Sequence, residues 1–268
     1  MHSLKGLHDR LRSDPVTHLG RKSVHLIMAY ELGYELGQTR HGVPLLAPDI
    51  SWPKMQEWVE RKFQWTAEMG CRQNVAGFAQ LMAADEAGAF DFYFEMRDTA
   101  SRELPSAVDN TGTETMPFAK SELVDFIASE SFRERASVIL GRRRLDALWA
   151  LCSGFTWAER DNGITTSPAQ NFTTQFQQWI EDRYPFAKGR PWNKTLDFLV
   201  LDSSERAWTA FYDALDSFLA GQRPDTLTKT GEQMLQAITK KILESDPNAD
   251  ANEIESTFKQ TVKNICPS

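Results

Sequence analysis

The chain has 268 residues, 41% hydrophobic and 25% charged, the composition of an ordinary globular protein with a sizeable core. That excludes a disordered chain, a collagen-like repeat and a disulfide miniprotein. Thirty Lys and Arg against 37 Asp and Glu give a net charge of −7, which opposes attraction to phosphates and predicts no nucleic-acid partner.

From the amino terminus, Leu19-Gly20-Arg21-Lys22 reads as a turn that opens a long helix. Val24, Ile27, Met28, Leu32 and Leu36 recur there at helical spacing, and Gly42 marks the end of that helix. A second helix carries Met55, Trp58, Val59 and Lys62-Phe63. A third is predicted over 85–97, with Asp85 as its N-cap and aromatic residues on its inner face. Thr99 to Pro117, rich in Ser, Thr, Pro and Gly, reads as a linker.

The chain then restarts. Shifted by 121 residues, Leu19-Gly20-Arg21-Lys22 falls on Leu140-Gly141-Arg142-Arg143, Gly33-Tyr34 on Gly154-Phe155, Gly42-Val43 on Gly163-Ile164, and Trp58-Val59-Glu60 on Trp179-Ile180-Glu181. After two small deletions, Gly70 and Asn74 meet Gly189 and Asn193 at an offset of 119. Ala89-Phe90 then meets Ala207-Trp208 at an offset of 118. The restarted copy therefore predicts a helix through Leu145, Leu148, Trp149, Cys152 and Phe155, another through Phe176, Trp179, Ile180 and Arg183-Tyr184, and a last over 203–219 behind Ser203 as N-cap. Glycines 33 and 154 sit inside these helices, where each costs about 1 kcal/mol against Ala, so a closely approaching helix is expected at both.

Past Pro224, Met234, Leu235, Ile238, Ile242 and Leu243 trace one amphipathic helix, and Ile254, Phe258, Val262 and Ile265 a second. They either cap an exposed apolar end or dock a partner. The expected fold is all-α: two tandem homologous helical units at 1–98 and 119–220, a linker at 99–118, and a C-terminal two-helix extension at 221–268.

Cys71, Cys152 and Cys266 are far apart and form no CxxC, which predicts neither a zinc site nor a disulfide framework. The opening MHSLKGLHDRLRSDP holds no apolar stretch of signal-peptide length, and apolar runs such as Ala147–Cys152 fall far short of the roughly 20 residues that a bilayer span needs. A reduced, cytoplasmic protein without a membrane partner is expected.

Chemical motifs are sparse. Gly20-Arg21-Lys22-Ser23 lacks the earlier glycine of a phosphate loop, since Pro15 stands in its place. All five histidines (2, 8, 18, 25 and 41) show no ligand spacing, so neither metal nor cofactor is expected. Glu31 and Glu35 lie one turn apart, as acid–base carboxylates can, but the second copy has Cys152 and Thr156 there, and a solvated acidic face is the simpler reading. Trp58 and Trp179 read as core. Trp52, Trp65 and Trp192 occur in one copy only and are candidate partner contacts, with packing into the core as the simpler reading. Arg142, Arg143 and Arg144 splay around a helix and carry no nucleic-acid expectation in an acidic chain.

The run Thr17-His-Leu-Gly-Arg-Lys-Ser23, the Gly33-Tyr34 and Trp58-Val59 helices, the Gly70-Cys71 turn and the Phe90/Phe94 helix together resemble an uncharacterised family of small bacterial all-helical proteins. That family's pattern runs YLG-[KR]-[KR]-S, an aliphatic helix ending in GY, then WV, GW and an aromatic helix; this chain departs from it at His18 and Cys71. The likeness covers about 5–98 well, about 120–220 weakly and the tail not at all. Its motifs are structural, so no catalytic residue is carried over. What it implies is a bacterial accessory protein of the toxin-neutralising kind.

Three functions follow as expectations. The first is an immunity protein that binds a cognate bacterial toxin through residues such as Glu31, Glu35, Trp52, Trp65 and Trp192. The second is an enzyme with Glu31, Glu35 or His41 in a cleft between the units. The third is a scaffold that docks through the tail helices.

Overall fold

The computed structural model describes residues 4–43, 52–64, 75–104, 122–200 and 203–222, with short stretches at 239–240, 243, 250–254 and 256. Among the described residues the fold is all-α, with no strand. The tail stripes at 234–243 and 254–265 and the side chain of Trp52 fall largely or wholly outside this description, as does Trp65.

The first half starts with α1 (Leu4–Ser13), whose Leu7 and Leu11 are buried one turn apart. Asp14 accepts a hydrogen bond from the Thr17 amide and Pro15 occupies the first position of α2 (Pro15–Leu19), both standard helix-start chemistry. Gly20 ends α2 at φ +78°, a left-handed conformation that a side chain disfavours. The long α3 (Val24–Arg40) follows, then α4 (Trp52–Phe63), α5 (Val75–Met82) and α6 (Glu86–Glu103). Asp85 caps α6 as expected, accepting from the Gly88 amide at 2.7 Å. The helix continues through 99–103, which the sequence reading gave to the linker, because its apolar stripe runs on to the buried Ala100.

The second half has α7 (Leu123–Ala128) and α8 (Glu130–Ile139), the left-handed Gly141, the long α9 (Leu145–Asp161), α10 (Pro168–Arg183), a 3₁₀ turn at Pro185–Ala187, α11 (Trp192–Leu199) and α12 (Ser204–Leu219). Ser167 caps α10 through the Gln170 amide, whereas Ser203 occupies the cap position of α12 without a capping bond. Phe176 centres the aromatic core of this half, with Trp179, Trp192, Phe211 and Phe218 rings 5.5–6.3 Å away. Offset bonding recurs across the halves. Val43 donates to the Gln38 carbonyl and Ile164 to that of Glu159, both at 2.9 Å; Gln56 donates to Glu60 at 2.8 Å and Gln177 to Glu181 at 2.7 Å.

The halves meet through α3 and α9, and here the interior glycines explain themselves. A β-carbon on Gly33 would lie 2.8 Å from the Leu151 carbonyl carbon, and one on Gly154 would lie 2.9 Å from that of Tyr30. Each contact is the other shifted by 121 residues, so the approach is reciprocal. One turn on, a β-carbon on Gly37 would meet that of Ala158 at 2.9 Å. Small residues four apart on both helices let the backbones pass this closely. The helices run in the same direction. Arg21, just before α3, bonds Asp146 in the first turn of α9, and His41, just after α3, faces Glu159 in its last turn.

Candidate functional site

Glu31 does not lie on a solvated face. It is 5% exposed, and its carboxylate meets Nε2 of His8 from α1, itself 5% exposed. One turn on, burial and then the neighbouring Glu31 push the Glu35 carboxyl up to about 7. Tyr93 and Arg97 of α6 complete the group. The Tyr93 phenol is pushed up by burial and then by Glu31, and Arg97, 6% exposed, leaves Nη2 without an acceptor among the described residues. His8 Nδ1 is likewise without a partner there. At matching positions of the second half stand Cys152, Thr156, Phe211 and Leu215, so the polar cluster belongs to one half only. Cys152 there is fully buried, its thiol pushed up to about 12 by desolvation.

Such a cluster is costly, because polar groups taken out of water recover their desolvation only through well-formed hydrogen bonds. Chemically it joins a His–Glu pair to a carboxyl that titrates near neutrality, the signature of tuned acid–base groups. A shallow groove lies along α12, lined by Ser203, Glu205, Arg206, Thr209, Ala210 and Asp213, and shares no residue with the cluster.

Glu35 also sets a pH dependence. Its folded pKa, near 7, exceeds the usual 4.5, so the folded chain holds the proton more tightly than the unfolded one. Stability from this group is therefore full below about pH 4.5 and is lost as pH rises through 7. Glu35→Gln should gain on the order of 2 kcal/mol over the parent at pH 8 and nothing at pH 4. Urea unfolding at both pH values reads this; an equal gain at both would contradict the assignment.

His41 does not join Glu31 and Glu35. It belongs to the seam between the halves, where arginines of the first half meet carboxylates of the second. Arg10 holds Asp161 with two bonds of 3.0 and 2.6 Å, and the Tyr34 hydroxyl donates to the same carboxylate at 2.7 Å. Arg21 bonds Asp146 and Arg40 bonds Glu122. His41 Nε2 lies 3.0 Å from Glu159 Oε1, whose other oxygen accepts from Ser167 Oγ at 2.5 Å. The carboxylate sits in the middle of that chain, so Ser167 has no imidazole to take its proton, and the arrangement is not a nucleophilic triad. Asp161 and Asp146 are neutralised by their arginines, and burial and neighbouring Arg10 hold the His18 imidazole at this seam below its ordinary value.

Trp192 is corrected as a partner contact. It opens α11, is 3% exposed and packs between Phe176 and Phe211, so it is core. Glu31 is corrected for the same reason: its carboxylate is spent on His8 inside the fold. Trp52 is the first residue of α4. An exposed set of apolar residues lies at the far ends of α4 and α5, where the sequence pattern does not point. Phe63, Leu81 and Met82 are 38%, 63% and 55% exposed at the ends of α4 and α5. The Phe63 ring is tilted against Phe78 with centroids 4.8 Å apart and reaches Phe92 at 6.4 Å, so its exposed side rests on an aromatic base. At the corresponding ends in the second half, Tyr184, Phe198 and Leu199 are partly covered. The available signal was the unbroken apolar character of Leu81-Met82 at the end of a short helix.

No protein-family model, curated protein or solved structure matches this chain. Among the described residues no helix is long and apolar enough to cross a membrane, and no group of three or more His, Cys, Asp or Glu is placed to hold a metal ion.

Proposed function

We propose that this chain is a protein-binding module, most concretely a cytoplasmic bacterial immunity protein that neutralises a cognate toxin by stoichiometric occlusion. The observation that carries the reading is the exposure of Phe63, Leu81 and Met82 at the ends of α4 and α5, where the corresponding helix ends of the second half are partly covered. Apolar residues scattered singly on a surface need no explanation, but Leu81 and Met82 stand side by side at the end of the helix whose Phe78 packs against Phe63. The net charge of −7 suits a basic partner, whose association complementary charge would speed. The duplicated helical pattern fits this role: one unit keeps the shared core while its surface is free to change.

A second reading, an enzyme, is favoured by the Glu35 carboxyl near neutrality beside the His8–Glu31 pair. Co-expression separates the two. A toxin encoded beside this chain should lose its lethality when the chain is present, and the combined change Phe63→Ser, Leu81→Ser and Met82→Ser should restore killing while the chain stays folded. Glu35→Gln should still protect. If the triple variant protects fully and Glu35→Gln does not, the partner-binding reading is wrong.

A further inference from the structure

Glu31, Glu35 and Gln38 follow one another at one-turn spacing along α3, so they share a face of the helix, turned away from the face that Gly33 and Gly37 press on α9. All three present hydrogen-bond acceptors. Glu31 is met by His8. Glu35 is half-buried, and its carboxyl group enters no hydrogen bond or ion pair among the described residues. Gln38 is 2% exposed, and its Oε1 is buried without a hydrogen-bond partner.

The second half has the same position supplied. At the offset of 121, Gln38 matches Glu159, which accepts from Ser167 Oγ and faces His41 Nε2. The residues that match Ser167 and His41 are Leu46 and Asn162. Leucine has no donor, and the Asn162 side-chain amide is spent on the Ala158 carbonyl at 2.7 Å. An acceptor buried without a donor costs free energy that a ligand's N–H group would recover. Glu35 lacks a counter-charge in the same way. The charged and titratable groups about this face are His8 of α1, Glu31 of α3, and Tyr93 and Arg97 of α6. His8 is held by Glu31, and Arg97 offsets the burial and the Glu31 charge that push the Tyr93 phenol up. Glu35 itself feels burial and then Glu31, and no cation opposes them.

We propose that the face of α3 at Glu35 and Gln38 binds a small organic cation of the guanidinium class. A planar fork of N–H groups gives two donors to the Glu35 carboxylate and a third to the Gln38 carbonyl one turn on. An ammonium is a compact, strongly hydrated point charge and fits a half-buried carboxyl less well. Among the described residues no group of three or more His, Cys, Asp or Glu is placed to hold a metal ion, so the cation that suits this face is one that donates hydrogen bonds. The site shares no residue with the edge of Phe63, Leu81 and Met82 and does not rest on the partner-binding reading.

The test is an NMR titration of the full chain, labelled at its glutamate carboxyl carbons and glutamine side-chain amides, with ethylguanidinium chloride at ionic strength held constant with sodium chloride. The Glu35 signal should shift saturably, and its pKa should fall by about one unit in the bound state, because a neighbouring positive charge favours the carboxylate. Gln38→Leu should keep the fold, since it removes an unpaired acceptor, and should weaken binding about tenfold. Glu35→Gln should abolish saturable binding, read on the Gln38 amide signals. Tetramethylammonium, which carries the charge without a donor, should give no response. A Glu35 shift that never saturates or that tetramethylammonium reproduces would overturn the proposal, as would binding that survives Glu35→Gln or an unchanged affinity in Gln38→Leu.

Discussion

Replacing Gly33 or Gly154 by alanine is expected to destabilise the chain by about 3 kcal/mol or more for each change. The sign is the informative part. A glycine inside an ordinary helix is a defect, and alanine there gains about 0.5–1 kcal/mol. Here the added methyl group meets backbone: the Leu151 carbonyl in one case and the Tyr30 carbonyl in the other. Backbone cannot turn aside as a flexible side chain can, so α3 and α9 must separate along their length. That separation would loosen Tyr30, Tyr34, Leu151 and Phe155, all 2% exposed or less. Gly42→Ala is the control. It meets nothing within 4 Å and loses only the left-handed φ of +67°, a cost of about 1–2 kcal/mol. Urea unfolding of the three variants checks the order, and a Gly33→Ala protein as stable as the parent would refute the crossing.

Removing the His8 imidazole should cost about 1–3 kcal/mol, because His8→Ala leaves the buried Glu31 carboxyl without its hydrogen-bond partner. The carboxylate cannot reach water from a site that is 5% exposed, and Glu35 one turn away adds a second acid rather than a counter-charge. The second half shows what an apolar version looks like, with Cys152 where Glu31 stands. The pair His8→Leu with Glu31→Met should therefore recover most of the loss, since replacing both partners of a buried pair is often neutral. A thermodynamic cycle over the parent, two single variants and the double reads the coupling. Additive losses would show that the two side chains act separately.

The long helices were legible because their apolar residues recur at helical spacing in both halves, and the crossing was legible because a glycine in mid-helix needs a reason. What escaped was decided at long range. Nothing in the local pattern tells that Glu31 turns inward, since its partner His8 lies 23 residues earlier and a carboxylate one turn from another resembles a solvated face. The short α5 and α11, eight residues each, carry too little periodicity to be read, so nothing local shows that Trp192 opens α11 and fills the core. Ser203 has the residue type of an N-cap but makes no capping bond. The charge-sorted seam, arginines before 99 and carboxylates after 118, appears only once the two halves are brought face to face.

The most direct measurement of the functional account is a titration of purified toxin activity with this chain. Stoichiometric occlusion predicts a linear loss that ends at one chain per toxin, with activity recovered when the complex is dissociated. Loss of activity at far below one equivalent, or loss that persists after the chain is removed, would contradict the account and show that the chain acts catalytically.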